Sequence, residues 1–559
     1  MNFKRTYQIK TFALLLVMSI AQFGCIKNES VPLDLKTEDL IYDKMDINGF
    51  YADQALTNLY TFLPKGFNRV DNSYLDAATD DGITSQVSSN IDILSRGLQS
   101  PTQLVDDAFS TNYTGIYRAN QFLSKIDVVP VTAAVKTFDK AEARFLRAMF
   151  YFELIKRYGG VPLIGDQILA PGSNLKIARN TYADCVAYIV SECDAISGLL
   201  RPEPLSTTLV GHATQGCALA LKARTLLYAA SPLNNPTNDV AKWQAAANAA
   251  KAVIDLNYYA LNASFVAAFL NRADKEVILG FQQAKNQALE TAQAPVGYTT
   301  DIATSKGQTS PTQDLVDAFP TIKGLSIGTD IKSGTNTTGF DATAPYTNRD
   351  PRLNATVFYN GQQWLGRAVE TFEGGKDKPG GTLVQTKTGY YLRKFLPDLS
   401  TATAYSTQDH NFIIFRYAEI LLDYAEALNE VGGAANTTLA YTQLTNIRKR
   451  AGLTAGTGSL YGLTAAMNQT QMRDAIKLER RLELAFEEHR FWDERRWNTA
   501  ATDFNKPLHG VTITKTGTTF TYQTKTVANI AFLAPKMYLY PIAYSELQAN
   551  SALTQNPGW

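Results

Sequence analysis

Four histidines, His212, His410, His489 and His509, are the side chains best suited to move a proton or hold a metal near neutral pH. None stands in an H-E-x-x-H helix or beside a cysteine at metal spacing. The phosphate-cradling P-loop, the dinucleotide fingerprint and the EF-hand loop are absent from the sequence as well. A glycoside hydrolase needs two carboxylates about 5–9.5 Å apart, but 52 carboxylates with no signature select no such pair. Cys185, Cys193 and Cys217 sit among apolar neighbours and read as small buried hydrophobes. Cys185 and Cys193 lie eight residues apart on one expected helix, roughly 12 Å at 1.5 Å per residue, too far for a disulfide. No catalytic centre, metal site or cofactor motif is expected.

Two other kinds of residue suit recognition. Asp80-Asp81-Gly82 is a short acidic turn, which reads as a solvated turn or helix cap, with contact to a polar ligand or cation as the alternative. Aromatic rings in polar, loop-rich surroundings suit the C–H faces of sugars, with Asn, Gln and Arg close by for the hydroxyls. Trp364 in NGQQWLGR leads these candidates, followed by Tyr359, Tyr298, Tyr346 and, beside the acidic turn, Tyr74. For each, packing against the scaffold is the competing reading.

The densest charged run is ERRLELAFEEHRFWDERRW, Glu479–Trp497. Leu478, Leu482, Ala485 and Phe486 form an apolar stripe at helical spacing within it, and Glu483 and Glu487 alternate with Arg480, Arg481 and Arg490. It reads as an ion-pair lattice that fixes a helix against its neighbours, in preference to a catalytic cluster.

These residues need elements to position them. The 559 residues carry 45 % hydrophobic side chains, enough for a large core, and 53 basic against 52 acidic ones. That balance argues against nucleic acid as a partner. Lys4, Arg5 and Lys10 precede the apolar run Thr11–Ala21, and Gly24-Cys25 follows. This order reads as a lipoprotein signal peptide with acylation at Cys25, which would tether the chain to a membrane surface without a spanning helix. Its removal takes the formal charge from +1 to −2.

Apolar residues recur at helical spacing from Ile47 to about Leu256, for example Phe145, Ala148, Tyr151, Phe152 and Ile155 before the stop at Gly159-Gly160. Asp239 is placed to cap a helix containing Trp243. Between 257 and 410, Gly, Thr, Asn and Pro rise, and only short strands are expected, near 276–280, 355–359 and 390–395. Helices are expected again over 413–430, 437–451 and 471–490. Helical pairs of about 35–45 residues resemble tetratricopeptide packing.

The expected fold is mainly α, a tetratricopeptide-like helical-pair scaffold with a large loop-rich insert. Its parts are a signal peptide (1–24), a lipid-anchored tether (25–45) and an N-terminal scaffold (46–256). A ligand-binding insert (257–410), C-terminal helices completing the scaffold (411–500) and an irregular tail (501–559) follow.

Several segments, in order, resemble the SusD/RagB family of nutrient-binding outer-membrane lipoproteins. They are YTGIYRANQFLSKI, AEARFLRAMFYFELIKRYGGVPLI, PTQDLVDAF, NRDPRLNATV, GYYLRKF, FRYAEILLDYAEALNE, IRKRAGL, the charged run above, and the ending YPIAYSELQANSALTQNPGW. Departures are Phe109 where the family often has Trp, and Ala543 in place of a proline. Lys27-Asn28-Glu29 resembles the acidic export signal of such lipoproteins only in part.

The resemblance implies a non-enzymatic protein on the outer membrane, facing the cell exterior. It would capture an oligosaccharide and act as a hinged lid on a SusC-like TonB-dependent transporter. Two alternatives stay open: the same role with a peptide or another nutrient, or a protein-binding helical adaptor without a small ligand.

Overall fold

The computed structural model describes residues 41–86, 88–169, 176–298 and 307–559. The expected signal peptide, Cys25 and most of the tether lie outside them. Among the described residues, six helices of eleven residues or more precede the insert: α1 (Phe50–Tyr60), α2 (Phe109–Lys125), α3 (Ala133–Tyr158), α4 (Tyr182–Ser197), α5 (Gln215–Ala230) and α6 (Val240–Ile254). Each from α2 onward packs on the next. After the insert come α7 (Tyr417–Val431), α8 (Ala434–Arg450), α9 (Gln469–Glu483) and α10 (His489–Arg496), and α11 (Tyr544–Ala549) lies near the end.

Local chemistry sets the helix ends. Thr181 and Asp184 form a reciprocal capping box at the start of α4, and Asn468 and Gln471 form another at α9. Asp239 caps α6 as its sequence suggests, accepting from the Ala241 N–H at 2.9 Å. Gly159, with φ of 73°, ends α3 where a side chain would be strained. Gly115 lets α2 approach α3 closely, since a Cβ there would come within 2.6 Å of the Phe150 ring.

Helix α7 packs on α6, α8 and α9, so the C-terminal helices close onto the N-terminal series. The expected scaffold of helical pairs is the observed one.

The strands are short and pair two by two: β1 (Gly82–Thr84) with β3 (Thr309–Pro311), β2 (Val277–Phe281) with β8 (Phe412–Arg416), β4 (Val357–Phe358) with β7 (Tyr391–Leu392), and β5 (Gln363–Trp364) with β6 (Arg367–Ala368). The antiparallel β2–β8 pair brings the two ends of the insert together at its base. The insert has its own apolar core around Phe358, Trp364, Tyr391 and Phe395, separate from the larger helical core.

Three expectations differ from this fold. Residues 412–416 form a strand where a helix is expected from 413, because a short all-apolar run has no periodicity to separate a buried strand from a buried helix. The helix expected over 471–490 is broken: Phe486 and Glu488 take φ of 59° and 68°, and α10 restarts at His489. The tail is not irregular throughout. Strands β9 (Pro507–Thr516) and β10 (Thr519–Asn529) form the longest hairpin among the described residues, turning at Gly517. Its alternation of Thr with Val, Ile, Phe and Tyr is the strand signal that marks it.

Candidate functional site

Tyr346 and Tyr359 form the part of the insert that faces outward with aromatic surface. Asp350 caps the short helix Pro351–Thr356 by accepting from the Arg352 N–H at 2.9 Å. The chain then enters β4, where Val357 and Phe358 are buried in the insert core, and Tyr359, just past its end, is half-buried. The Tyr359 ring stacks on Tyr346 with centroids 4.2 Å apart and planes 19° from parallel. Tyr522 from β10 meets Tyr346 edge-on at 5.8 Å, and Tyr390 does so at 6.2 Å. All but Tyr390 are half-buried.

Hydrogen bonds fix this platform. Tyr390 Oη donates to Gln313 Oε1 at 2.6 Å and lies 3.2 Å from Tyr346 Oη. Tyr359 Oη and Gln362 Nε2 both donate to Asn354 Oδ1, at 3.2 and 2.7 Å. Burial pushes the Tyr346 hydroxyl well above the ordinary tyrosine range, with Tyr390 adding to it, and burial raises Tyr359 as well. Both therefore act as neutral phenols that donate and accept. Rings held from behind, with an exposed amide at Asn354, can stack on a flat apolar face and bond hydroxyls at its edge.

The other expected site residues do different work. Trp364 is fully buried: its indole packs between Tyr298, Phe358 and Tyr405, and Nε1 donates to the Pro397 carbonyl at 3.3 Å. The expectation that a ligand stacks on it is corrected, since no ring face is open. Tyr298 is half-buried, but the Arg367 guanidinium lies 3.6 Å over its ring and is itself held by Asp377 at 2.8 Å. Tyr74 is buried, lies parallel to Phe395 at 5.9 Å and offers no surface.

Asp80 and Asp81 are neither a solvated turn nor open to a ligand. Arg481 Nε pairs with Asp81 at 2.7 Å, and Arg490 Nε pairs with Asp80 at 2.9 Å. Burial opposes ionisation of Asp80, yet Arg481 and Arg490 overcome it and hold the carboxyl at about 2.

These two aspartates join the edge of the lattice expected in the charged run. Glu483 is buried and bonds Arg416 at 2.7 Å, Arg352 at 3.0 Å and Arg450. Glu479 pairs with Arg352 and Arg448, each at 2.7 Å, and Glu487 with Arg416 at 2.6 Å and Lys394 at 2.7 Å. Arg480 and Arg496 share Asp493, each at 2.8 Å. The lattice ties the insert (Arg352, Lys394) to strand β8 (Arg416) and helix α8 (Arg448, Arg450).

Sequence reading missed Tyr522 and Tyr390. Tyr522 could have been found from the alternation of residues 519–529; Tyr390 carries no local signal beyond its aromatic neighbours.

The histidines make pairs, not catalytic arrays. His212 Nδ1 lies 2.9 Å from Glu142, His410 Nε2 2.9 Å from Glu290 and His509 Nδ1 2.8 Å from Asp314. Burial drives the His489 imidazole well below the usual histidine range. Cys185, Cys193 and Cys217 are buried free thiols, and burial pushes Cys217 up to about 12. Among the described residues no group of three His, Cys, Asp or Glu side chains is placed to hold a metal, and no helix is long and apolar enough to cross a membrane.

Comparison with known proteins then decides the family. Residues 275–559, half of the chain, match the model of the SusD family. The chain belongs to the SusD family. Residues 35–227 match a further SusD-like family model described as starch-binding associating with outer membrane. Among curated proteins, SusD-like protein P25 of Formosa agariphila is 24 % identical over 421 residues, covering 70 % of each chain. SusD-like proteins P2 and P38 of the same organism are 38 % and 36 % identical, but the matches span only 17 % and 21 % of their lengths.

Solved SusD-like structures share the fold over nearly the whole chain. A SusD-like protein from Bacteroides fragilis superposes with a TM-score of 0.75 at 25 % identity, covering 94 % of this chain and 99 % of its own. A SusD-like carbohydrate-binding protein from the same species gives 0.74 at 23 %, covering 92 % and 100 %. A structure described as a laminarin-binding SusD-like protein gives 0.65 at 23 %, covering 91 % and 99 %. Membership in the SusD family places the chain among binding proteins rather than enzymes.

Proposed function

We propose that this SusD-family chain captures oligosaccharides at the outer membrane and delivers them to a SusC-like TonB-dependent transporter. In this reading it is held at the outer face of the membrane through an acylated Cys25. The observation that carries the binding part is the tyrosine platform of Tyr346, Tyr359 and Tyr522, half-exposed and fixed by the Tyr390–Gln313 and Asn354 hydrogen bonds. Stacking on such a platform with a few hydrogen bonds gives millimolar to micromolar affinity, about −4 to −8 kcal/mol. The starch-binding description of the matching family and the laminarin-binding fold relative support a glucan as the first ligand class to test. Of the expected ligand residues, Tyr346 and Tyr359 stay in the proposed site; Tyr298, Tyr74, Asp80 and Asp81 do not.

The test is calorimetry of residues 26–559 with maltoheptaose, laminarihexaose and an oligopeptide mixture. A saturable saccharide signal that weakens about tenfold or more in Tyr359→Ala, corresponding to roughly 1.4 kcal/mol, supports the reading. Unchanged affinity in Tyr359→Ala and Tyr346→Ala removes the platform from the site. Peptide binding without saccharide binding replaces the ligand class. Delivery is tested separately, by co-purification with the partner barrel.

A further inference from the structure

A well-formed, largely apolar groove lies far from the tyrosine platform in sequence, along helix α2, and nothing above assigns it. Its volume is about 500 Å³, within the range of small-ligand sites. Its floor is Phe109, Tyr113 and Tyr117 of α2, and its walls are Ile164, Ile177 and Leu553. The walls are held in place before any ligand arrives. Asn120 Nδ2 donates to the Gly165 and Gln167 carbonyls at 2.9 and 2.8 Å, and Tyr113 Oη donates to the Pro162 carbonyl at 2.8 Å. Asn550 clamps the Ile177 backbone, accepting from its N–H at 3.2 Å and donating to its carbonyl at 2.8 Å. Such preorganisation lowers the entropic cost of binding.

Two opposite charges stand on the rim. Arg118 is exposed, donates only to Gln121 Oε1 at 3.1 Å and has no carboxylate partner among the described residues. Glu546 of α11 has no cationic partner there either. It stands toward the N-terminal end of α2, where burial and then the Asp107 charge raise its carboxyl above the usual range. A neutral saccharide would leave both charges unmatched, and a fatty acyl chain would leave Glu546 unmatched.

The groove follows α2 from Phe109 to Asn120, roughly 16 Å at 1.5 Å per residue. An extended chain covers that length in about five residues at 3.3 Å each.

We propose that this groove binds an extended segment of a partner protein, about five residues long, with aromatic or branched side chains between a basic residue at one end and an acidic residue at the other. The basic residue meets Glu546, the acidic one Arg118, and the apolar side chains fill the tyrosine-lined floor. The inference does not rest on the saccharide reading, and either can fail alone.

The test uses residues 26–559 and three blocked peptides: Lys-Phe-Leu-Phe-Glu, Glu-Phe-Leu-Phe-Lys and the neutral Gln-Phe-Leu-Phe-Gln. One of the two charged peptides should bind about five-fold or more tightly than the neutral one, the effect of two surface ion pairs. The double variant Arg118→Glu with Glu546→Lys should bind the other charged peptide better, and circular dichroism melting should show that it folds. Saccharide binding should be unchanged in it. Failure of all three peptides to bind overturns the proposal, as does a charge preference that the double variant leaves as it was. Binding of dodecanoate in place of every peptide reassigns the groove to acyl chains.

Discussion

Replacing Glu483 should destabilise this protein more than almost any other single change, and the reason lies in what its carboxylate touches. Glu483 closes α9, is fully buried, and contacts Arg352, Arg416 and Arg450. Those three guanidiniums keep other partners: Asp350 and Glu479 for Arg352, Glu276 and Glu487 for Arg416, and Glu276 for Arg450. Arg448 and Lys394 complete the set through Glu479 and Glu487. Five cations thus face five carboxylates away from water. Deleting one carboxylate leaves a net positive charge in a buried site, which typically costs about 3–5 kcal/mol. Total stabilities of roughly 5–15 kcal/mol make that a large fraction.

Urea unfolding of Glu483→Gln, followed by circular dichroism at pH 7, measures the effect. Glutamine keeps the shape and one acceptor, so the variant remains foldable while the charge is lost. A second variant, Glu483→Gln with Arg450→Met, removes a cation along with the anion. It should be less destabilised than the sum of the two single changes, with a coupling of about 0.5–3 kcal/mol. A loss below about 1 kcal/mol in Glu483→Gln, together with additive effects in the double variant, would refute the view that the lattice carries fold stability.

Other outcomes follow from the same coordinates. Trp364→Ala should cost about 3–5 kcal/mol of stability, as for a deleted core tryptophan. Saccharide affinity of its folded fraction should stay at the parent value; weakened binding there would return Trp364 to the ligand site. Gly115→Ala should cost about 1–3 kcal/mol by overpacking the α2–α3 contact against Phe150, measured by thermal melting. Stability should also peak at mildly acidic pH. Burial opposes ionisation of Glu153, but Lys156 and Arg157 hold it at about 2, so its contribution is full above its unfolded value near 4.5 and is lost as pH falls toward 2. Burial raises Asp423 and Glu494 to about 7, so they bind protons more tightly when folded and penalise the native state less as pH falls from about 7 toward 4. Urea midpoints from pH 2 to 8 check this, and a midpoint rising steadily to pH 8 would contradict it.

The sequence by itself determined what depends on neighbours along the chain. Helical periodicity marked the stretch from Ile47 to about Leu256 that holds α1 through α6, and the Asp239 cap and the Gly159 stop were legible in it, because side-chain spacing and capping act over one or two turns. The buried thiols were legible from their apolar neighbours. The charged run was read as an ion-pair lattice because acids and bases alternate around an apolar stripe. Its partners were not legible: Arg352, Arg416 and Arg448 lie between 31 and 131 residues away from the glutamates they meet. The break at Phe486–Glu488 was hidden for the same reason, since the helix ends to meet those distant charges.

Tertiary structure alone decided the candidate site. Trp364, Tyr359 and Tyr346 are alike in sequence, as aromatics in a polar loop, but the packing of the insert core gives them different exposures. Tyr298, Phe358 and Tyr405 enclose Trp364 in the insert core, while Tyr359, just past the end of β4, stays half-buried. Tyr522 arrives from a hairpin more than 150 residues further on to complete the platform. Asp80 and Asp81 look like an accessible turn until Arg481 and Arg490 fold over them. Which ring faces water, and which carboxylate is already paired, are properties of long-range packing, and no local pattern of residues encodes them.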